Sequence, residues 1–161
     1  MPGAGCYIDR MLLDSHLVPE TAAKPRSFVG LMAIYESNYL RLLRLIPELE
    51  RLDGCFHSRV AGDCDLHVEI LERCRYTLTL SLTYRFETDD GLLIDPDMTV
   101  RVYLDGQQAE VLAIGKTQRH TRLRKFMAQH RRELDRRWQR NVVLNKWLDY
   151  LSEQGHLILE R

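Results

Sequence analysis

The sequence has no long hydrophobic run. No apolar stretch of about 18 residues, the length that crosses a bilayer, occurs in the chain. The N-terminal sequence MPGAGCYIDR also lacks the basic region and apolar core of a secretory signal peptide. Neither a membrane span nor a signal peptide is indicated, and we expect a cytoplasmic protein.

Cysteine is scarce and follows no ligand pattern. The chain has 4 cysteines, and none of them belongs to a C-x-x-C pair. Free thiols are therefore favoured over a disulfide framework. Cys55-x-His57 and Cys64-x-x-His67 supply the ligand types that zinc prefers. However, residues with the spacing of Cys64 and His67 fall on opposite faces of a strand. We predict no metal site and no cofactor.

Catalytic motifs are missing as well. The sequence contains no G-x-S-x-G, H-E-x-x-H or G-x-G-x-x-G pattern. Asp14-Ser15-His16 has the residue types of a catalytic triad, but adjacent residues do not generally reach triad geometry. The sequence therefore does not support an enzyme, and it favours a non-catalytic protein.

Charge is balanced over the chain but not along it. The 23 basic residues match the 23 acidic ones, yet residues 116–140 hold 10 Lys or Arg and 2 Asp or Glu, a net charge of +8. Such a segment could neutralise phosphates. One hypothesis is therefore nucleic-acid or nucleotide (anion) binding through residues 119–140, with Arg131, Arg132 and Arg136 as contacts. A solvated helix face, or pairing with the acidic remainder of the chain, explains the same pattern.

The order of periodicities predicts an α+β domain. Ser27 can cap a helix with an apolar stripe that ends near Pro47, and a second stripe ends at Gly155. Between them the period changes to two, which is typical of strands. Short turns favour a five-stranded antiparallel meander flanked by an N-terminal and a C-terminal helix. The predicted strands are at about 56–61, 65–72, 76–86, 98–104 and 108–114, with a longer connection over Thr88–Asp97.

The domain boundaries follow from the same patterns. Residues 1–26 are proline-rich with little periodicity, so we expect a loosely ordered arm before a single domain over 27–161. We also expect a break or loop within 116–130, because one helix from His120 to Gly155 would be unusually long for a small domain.

Met98 to Val111 predicts a β-hairpin with an Asp105-Gly106 turn. If that turn is tight, Arg101 lies opposite Glu110 and Val100 lies opposite Val111. A four-residue loop would shift the register by two and preserve the facing of every side chain.

Several separated motifs over roughly residues 30–155 match the pattern of a known family. They are Tyr35-Glu36-Ser37-Asn38-Tyr39, Arg41-Leu42-Leu43-Arg44-Leu45, Pro47, Glu72-Arg73, Tyr76-Thr77, Met98-Thr99-Val100-Arg101-Val102-Tyr103, Asp105, Ala109-Glu110-Val111, Asn141, Leu144, Trp147-Leu148, Tyr150-Leu151 and Gly155. In these motifs the chain resembles the YqiB-like proteins, a family of small bacterial proteins classed as a domain of unknown function. The resemblance implies no activity, since no reaction is established for that family.

The leading functional hypothesis is a non-catalytic module that binds a small ligand or a protein. Arg101, Tyr103 and Glu110 share one face of the hairpin and could bind a ligand or partner, with Asn38 of the first helix as a further contact. Alternatively, Arg101 and Glu110 form an ordinary cross-strand pair, and Asn38 is satisfied by neighbouring backbone. A third hypothesis is an unrecognised hydrolase or metal enzyme that uses His67, Glu69 and Glu110.

Overall fold

The computed structural model describes residues 27–115 and 133–160. The chain forms helix α1 (Phe28–Leu45), strands β1 (Cys55–Ser58), β2 (Asp65–Arg73), β3 (Thr77–Thr88), β4 (Gly91–Tyr103) and β5 (Gln108–Ile114), and helix α2 (Glu133–Gln154). The five strands form one antiparallel sheet in the order β1-β2-β3-β4-β5. The predicted α+β fold is confirmed. The predicted arm over 1–26 and the predicted break within 116–130 lie outside the described residues.

Both helices begin or end at the predicted signals. The Ser27 Oγ accepts a hydrogen bond from the Gly30 N–H at 3.0 Å and so caps α1. Gly155 follows α2 with a φ of 89°, in the left-handed region that ends many helices. Among the described residues, neither helix is both long enough and apolar enough to cross a membrane.

The core lies between one face of the sheet and the two helices. Tyr84 of β3 packs edge-on against Trp147 of α2, with 5.3 Å between the ring centroids. Alternate residues of the strands point into this layer, as the period of two predicts. The core side chains include Tyr39, Leu42 and Leu45 of α1; Leu66, Val68, Leu80, Leu82, Val100, Val102 and Val111 of the sheet; and Leu144, Leu148 and Leu151 of α2.

The β4–β5 hairpin has the register predicted for a tight turn. Arg101 pairs with Glu110, and Val100 pairs with Val111. A register shift follows between Thr99 and Val100. The facing of the hairpin side chains is therefore as predicted near the turn, and the irregularity lies farther along β5.

The predicted connection over residues 88–97 is wrong. These residues belong mostly to β4, which begins at Gly91 and pairs with the far end of β3. Proline usually interrupts a strand because it lacks the N–H of the ladder. Pro96, however, lies at the irregularity where pairing passes from Thr83↔Asp97 to Arg85↔Ile94. A ladder bond is not required there, so the strand continues through the proline.

Arg73 attaches the chain after α1 to the end of β2. Its guanidinium donates hydrogen bonds to the carbonyls of Leu49, Glu50 and Leu52. These carbonyls belong to the turn that follows Pro47. One side chain therefore satisfies three backbone acceptors that no regular ladder reaches.

A smaller apolar cluster lies between the N-terminal halves of the two helices. It contains Leu31, Ile34 and Tyr35 of α1 with Trp138 and Val142 of α2. This cluster brings both helices together beside β5, at the edge of the sheet, and there the helices and the hairpin border an open cavity.

Candidate functional site

A cavity of about 460 Å³ lies at the β5 edge of the sheet. Helix α1, the β4–β5 hairpin and the first turns of α2 each supply part of its wall. We call it the edge cavity. Its lining residues are Phe28, Leu31, Met32, Tyr35, Tyr103, Gln108, Glu110, Glu133, Leu134 and Arg137.

Glu110 is the most buried charged group of the edge cavity, with 11% of its side chain exposed. Its Oε1 accepts a hydrogen bond from the Tyr103 hydroxyl at 2.6 Å. Its Oε2 accepts one from the Tyr35 hydroxyl at 2.9 Å. The Arg137 guanidinium approaches Oε2 to 3.8 Å, which is an ion pair without a direct hydrogen bond. A buried carboxylate is thus held by two phenols, one from α1 and one from the sheet.

Burial and the Glu110 carboxylate together keep both tyrosines protonated. Burial, reinforced by the hydrogen bond to Glu110, raises the pKa of Tyr35 to about 12. The hydrogen bond to Glu110, reinforced by burial, raises the pKa of Tyr103. Both phenols therefore remain neutral donors at physiological pH. The carboxylate accepts one hydrogen bond on each oxygen, and both donors stay protonated, so this arrangement is better suited to binding than to proton transfer.

An ion-pair cluster borders the cavity on α2. The Arg137 Nε donates to the Glu133 Oε1 at 3.0 Å, and Arg140 lies 3.7 Å from the same oxygen. The hydrogen bond from Arg137 lowers the pKa of Glu133, and the same bond raises the pKa of Arg137. The Glu133 carboxylate is therefore shared by two guanidiniums of α2, and Arg137 is divided between Glu133 and Glu110.

The comparison with protein families identifies the chain. The family described as "Protein of unknown function (DUF1249)" matches residues 41–157, which is most of the chain. The chain belongs to the DUF1249 family. No curated protein and no solved structure matches it. The matched residues include Tyr103, Glu110 and Arg137, whereas Tyr35 lies before them.

Two of the four sheet and helix residues predicted as contacts line the cavity of this DUF1249 protein. Tyr103 and Glu110 meet there, but Arg101 does not point to Glu110. The Arg101 Nε donates to the Thr79 Oγ1 at 3.3 Å, and its guanidinium lies 3.5 Å from Glu72. Arg101 thus belongs to the polar face of the sheet opposite the core.

Asn38 lies behind the cavity wall, in a buried amide network between the helices. Its Nδ2 donates to the Asn141 Oδ1 at 3.2 Å, and its Oδ1 accepts from the Asn145 Nδ2 at 3.0 Å. The Asn141 Oδ1 also accepts the Val111 N–H of the edge strand at 3.0 Å. Side chains of α2, and only in part backbone, therefore satisfy Asn38.

The residues of the metal and hydrolase hypotheses are not brought together. His67 and Glu69 lie on β2, and Glu110 lies on β5, three strands away and so roughly 14 Å in the sheet. His57 and His67 are cross-strand neighbours with 6.2 Å between ring centroids. Burial lowers the pKa of His67. No group of three His, Cys, Asp or Glu side chains in residues 27–115 and 133–160 could hold a metal ion.

The anion hypothesis falls largely outside the described residues. Arg131 and Arg132 precede the described part of α2, whereas Arg136 lies on its exposed side. Arg137 and Arg140 of the same helix both pair with Glu133. Within the described part of the basic segment, some of the positive charge is therefore compensated by an acid of the same helix.

Sequence reasoning missed Tyr35 and Arg137 as cavity residues. Tyr35 follows the apolar stripe of α1, and it is indeed buried. Its hydroxyl gives a signal in principle, because a buried phenol usually has a hydrogen-bond partner. Arg137 belongs to the basic run, where nothing in the pattern distinguishes it from its neighbours.

Sequence reasoning also missed a second buried polar group at the opposite end of the sheet. His156 places Nδ1 at 3.0 Å from the Ser58 Oγ and Nε2 at 3.1 Å from the Asp63 Oδ2. Asp63 also accepts the Tyr84 hydroxyl at 2.9 Å. The Ser58 Oγ is buried and accepts the Leu157 N–H. This cluster joins the segment after α2 to β1, and its serine is not presented to a substrate.

Proposed function

We propose that this DUF1249 protein is a non-catalytic module that binds a small organic molecule in the edge cavity. The nearly buried Glu110 carboxylate, held by two phenols inside the cavity, carries the proposal. Burying a charge is costly unless it has partners. A structure that only needed to close this edge could have used apolar side chains.

The size and chemistry of the cavity support the same proposal. Cavities that bind small molecules usually measure roughly 300–1,000 Å³, with apolar walls and a few convergent polar groups. The edge cavity has about 460 Å³ and presents Leu31, Met32 and Leu134 beside Glu110 and Arg137. The raised pKa values of Tyr35 and Tyr103 argue for binding rather than acid–base chemistry.

We also propose a more specific family and a cellular compartment for this protein. The separated motifs around Tyr35, Glu72, Met98 to Val111 and Asn141 support a place among the YqiB-like bacterial proteins. We also propose the cytoplasm as the compartment.

A fragment screen followed by ligand-observed NMR tests the binding function. A few hundred fragments of mixed charge are screened against the wild-type protein, Met32→Trp and Arg44→Ala. Met32 lines the cavity and is half-buried, so tryptophan should fill the cavity without entering the main core. Arg44 is exposed in the last turn of the same helix, outside the cavity, and Arg44→Ala is the matched control.

We expect hits that bind wild type and Arg44→Ala alike and that no longer bind Met32→Trp. A screen without hits would refute the binding function. Hits that bind Met32→Trp as well as they bind wild type would place binding elsewhere and refute the assignment to this cavity.

A further inference from the structure

The charge in the edge cavity is only partly compensated. The two groups that donate hydrogen bonds to Glu110 are neutral phenols. The nearest described cation is the Arg137 guanidinium, 3.8 Å from Oε2. Each carboxylate oxygen can accept about two hydrogen bonds. Glu110 can therefore accept further donors from a molecule in the cavity.

Arg137 is unavailable to an anionic ligand without a loss elsewhere. Its Nε is hydrogen-bonded to Glu133 at 3.0 Å, and it also lies beside Glu110. An anion at Arg137 would compete with Glu133 for the guanidinium and would be repelled by the buried Glu110. A cation meets the opposite situation at Glu110, because the hydrogen-bond donors of that carboxylate are neutral phenols and the Arg137 guanidinium lies 3.8 Å away.

The aromatic lining favours the same class of ligand. Phe28, Tyr35 and Tyr103 line the cavity together with the apolar walls. Aromatic rings attract ammonium groups, most strongly where water is excluded. Phe28 is 67% exposed, which is unusual for phenylalanine and leaves its ring free for contact with a ligand.

We propose that the edge cavity binds an organic ammonium compound whose charged nitrogen pairs with Glu110 and whose apolar body contacts Leu31, Met32 and Leu134. This inference rests on the binding function proposed above and specifies the ligand class. It predicts that the cavity binds amines more tightly than carboxylates or phosphates.

Three probes with the same apolar body and different head groups test this inference. Phenylpropylammonium, phenylpropanol and phenylpropionate are titrated into the protein at low salt, and dissociation constants are measured by NMR. We expect the ammonium compound to bind most tightly and the carboxylate least. A hydrogen bond to a charged group contributes enough that the ammonium compound should bind roughly tenfold tighter than the alcohol.

Three charge variants assign that preference to the cavity. Glu110→Gln should reduce the ammonium-to-alcohol affinity ratio about tenfold. Glu133→Gln, whose side chain is 62% exposed, should reduce the ratio by a smaller factor without disturbing packing. Arg137→Leu should raise the ratio. If Glu110→Gln does not fold, the opposite effects of Glu133→Gln and Arg137→Leu decide the outcome.

The outcomes separate the ligand class from the binding function. Probes that bind with equal affinity, a preference for phenylpropionate, or a ratio that the charge variants leave unchanged would overturn the ammonium assignment and leave the binding function standing. If none of the three probes binds while the fragment screen gives cavity hits of another class, the assignment is again overturned. Absence of all binding in both experiments refutes the binding function itself.

Discussion

Replacing Asn141 with leucine should destabilise the protein strongly. Leucine has the same branching as asparagine, so the change removes polar atoms with little change in shape. The Asn141 Oδ1 accepts hydrogen bonds from the Val111 N–H at 3.0 Å and from the Asn38 Nδ2 at 3.2 Å. Both Asn38 and Asn141 are fully buried. The variant therefore leaves the Val111 N–H without this acceptor, and it leaves the Asn38 Nδ2 with only the Asn141 carbonyl, 3.4 Å away.

The magnitude follows from those two donors. An unsatisfied buried polar group costs roughly 1–3 kcal/mol, so Asn141→Leu should lower the free energy of unfolding by roughly 2–5 kcal/mol. For a chain of this size, 1 kcal/mol shifts the melting temperature by roughly 2–4 °C. We expect a decrease of about 4–20 °C by circular dichroism and a matching loss in urea unfolding. Glu153→Ala, an exposed change on the same helix, should stay within about 0.5 kcal/mol.

A double variant tests whether the lost hydrogen bonds cause the effect. Asn38→Leu combined with Asn141→Leu removes both members of the amide pair, and replacing both partners with apolar groups costs less than removing one. We expect the double variant to be more stable than the sum of the single effects predicts, by roughly 0.5–3 kcal/mol. Additive effects, or a change below about 1 kcal/mol for Asn141→Leu, would contradict the amide network as a source of stability.

Three further predictions concern other parts of the chain. Arg73→Ala should lower the free energy of unfolding by roughly 1–3 kcal/mol, because three backbone carbonyls lose their donor. Urea unfolding measures this change, and replacement of the exposed Arg75 with alanine is the control. The pKa of Tyr35 is raised to about 12, so the unfolded chain loses this proton first and the free energy of unfolding should fall between about pH 10 and pH 12. In urea unfolding, Tyr35→Phe should make this fall less steep. An unchanged dependence on pH would contradict the burial of this phenol. Burial raises the pKa of Cys64 to about 11, so mass spectrometry after alkylation should show it reacting far more slowly than the exposed Cys55, and equal rates would contradict its burial.

Periodicity predicted the architecture because it reports which face of each element is buried. The alternation in Met98 to Val111 predicted the hairpin, and the tight form of the Asp105-Gly106 turn, one of two alternatives, predicted the register that pairs Arg101 with Glu110. The same argument failed over residues 88–97, where aspartates, a glycine and a proline are typical of a loop. The cost of that proline depends on its place in the ladder, and the sequence does not contain that information.

The edge cavity could be predicted only in part, for a similar reason. Tyr103 and Glu110 are close neighbours within one hairpin, so local pairing brings them together. Tyr35 and Arg137 reach Glu110 from two different helices. Their meeting depends on how α1 and α2 cross beside β5, and neither helix pattern specifies a crossing. For Arg101 the register was predicted correctly, but the register did not determine which residues its flexible side chain contacts.

Asn141 connects the amide network to the edge cavity and therefore affects binding as well as stability. Its Oδ1 holds the N–H of Val111, the residue after Glu110, and its Nδ2 donates to the carbonyl of Arg137 at 2.8 Å. One side chain thus fixes the backbone at two charged groups of the cavity. Asn141→Leu, studied at a temperature where it remains folded, should displace both groups. It should therefore weaken the binding of both phenylpropylammonium and phenylpropanol. Glu110→Gln should weaken mainly the ammonium compound, because it changes charge and leaves the wall in place. If the two variants change the affinities for the two compounds in the same way, then either Asn141 acts on stability alone or Glu110 only shapes the cavity.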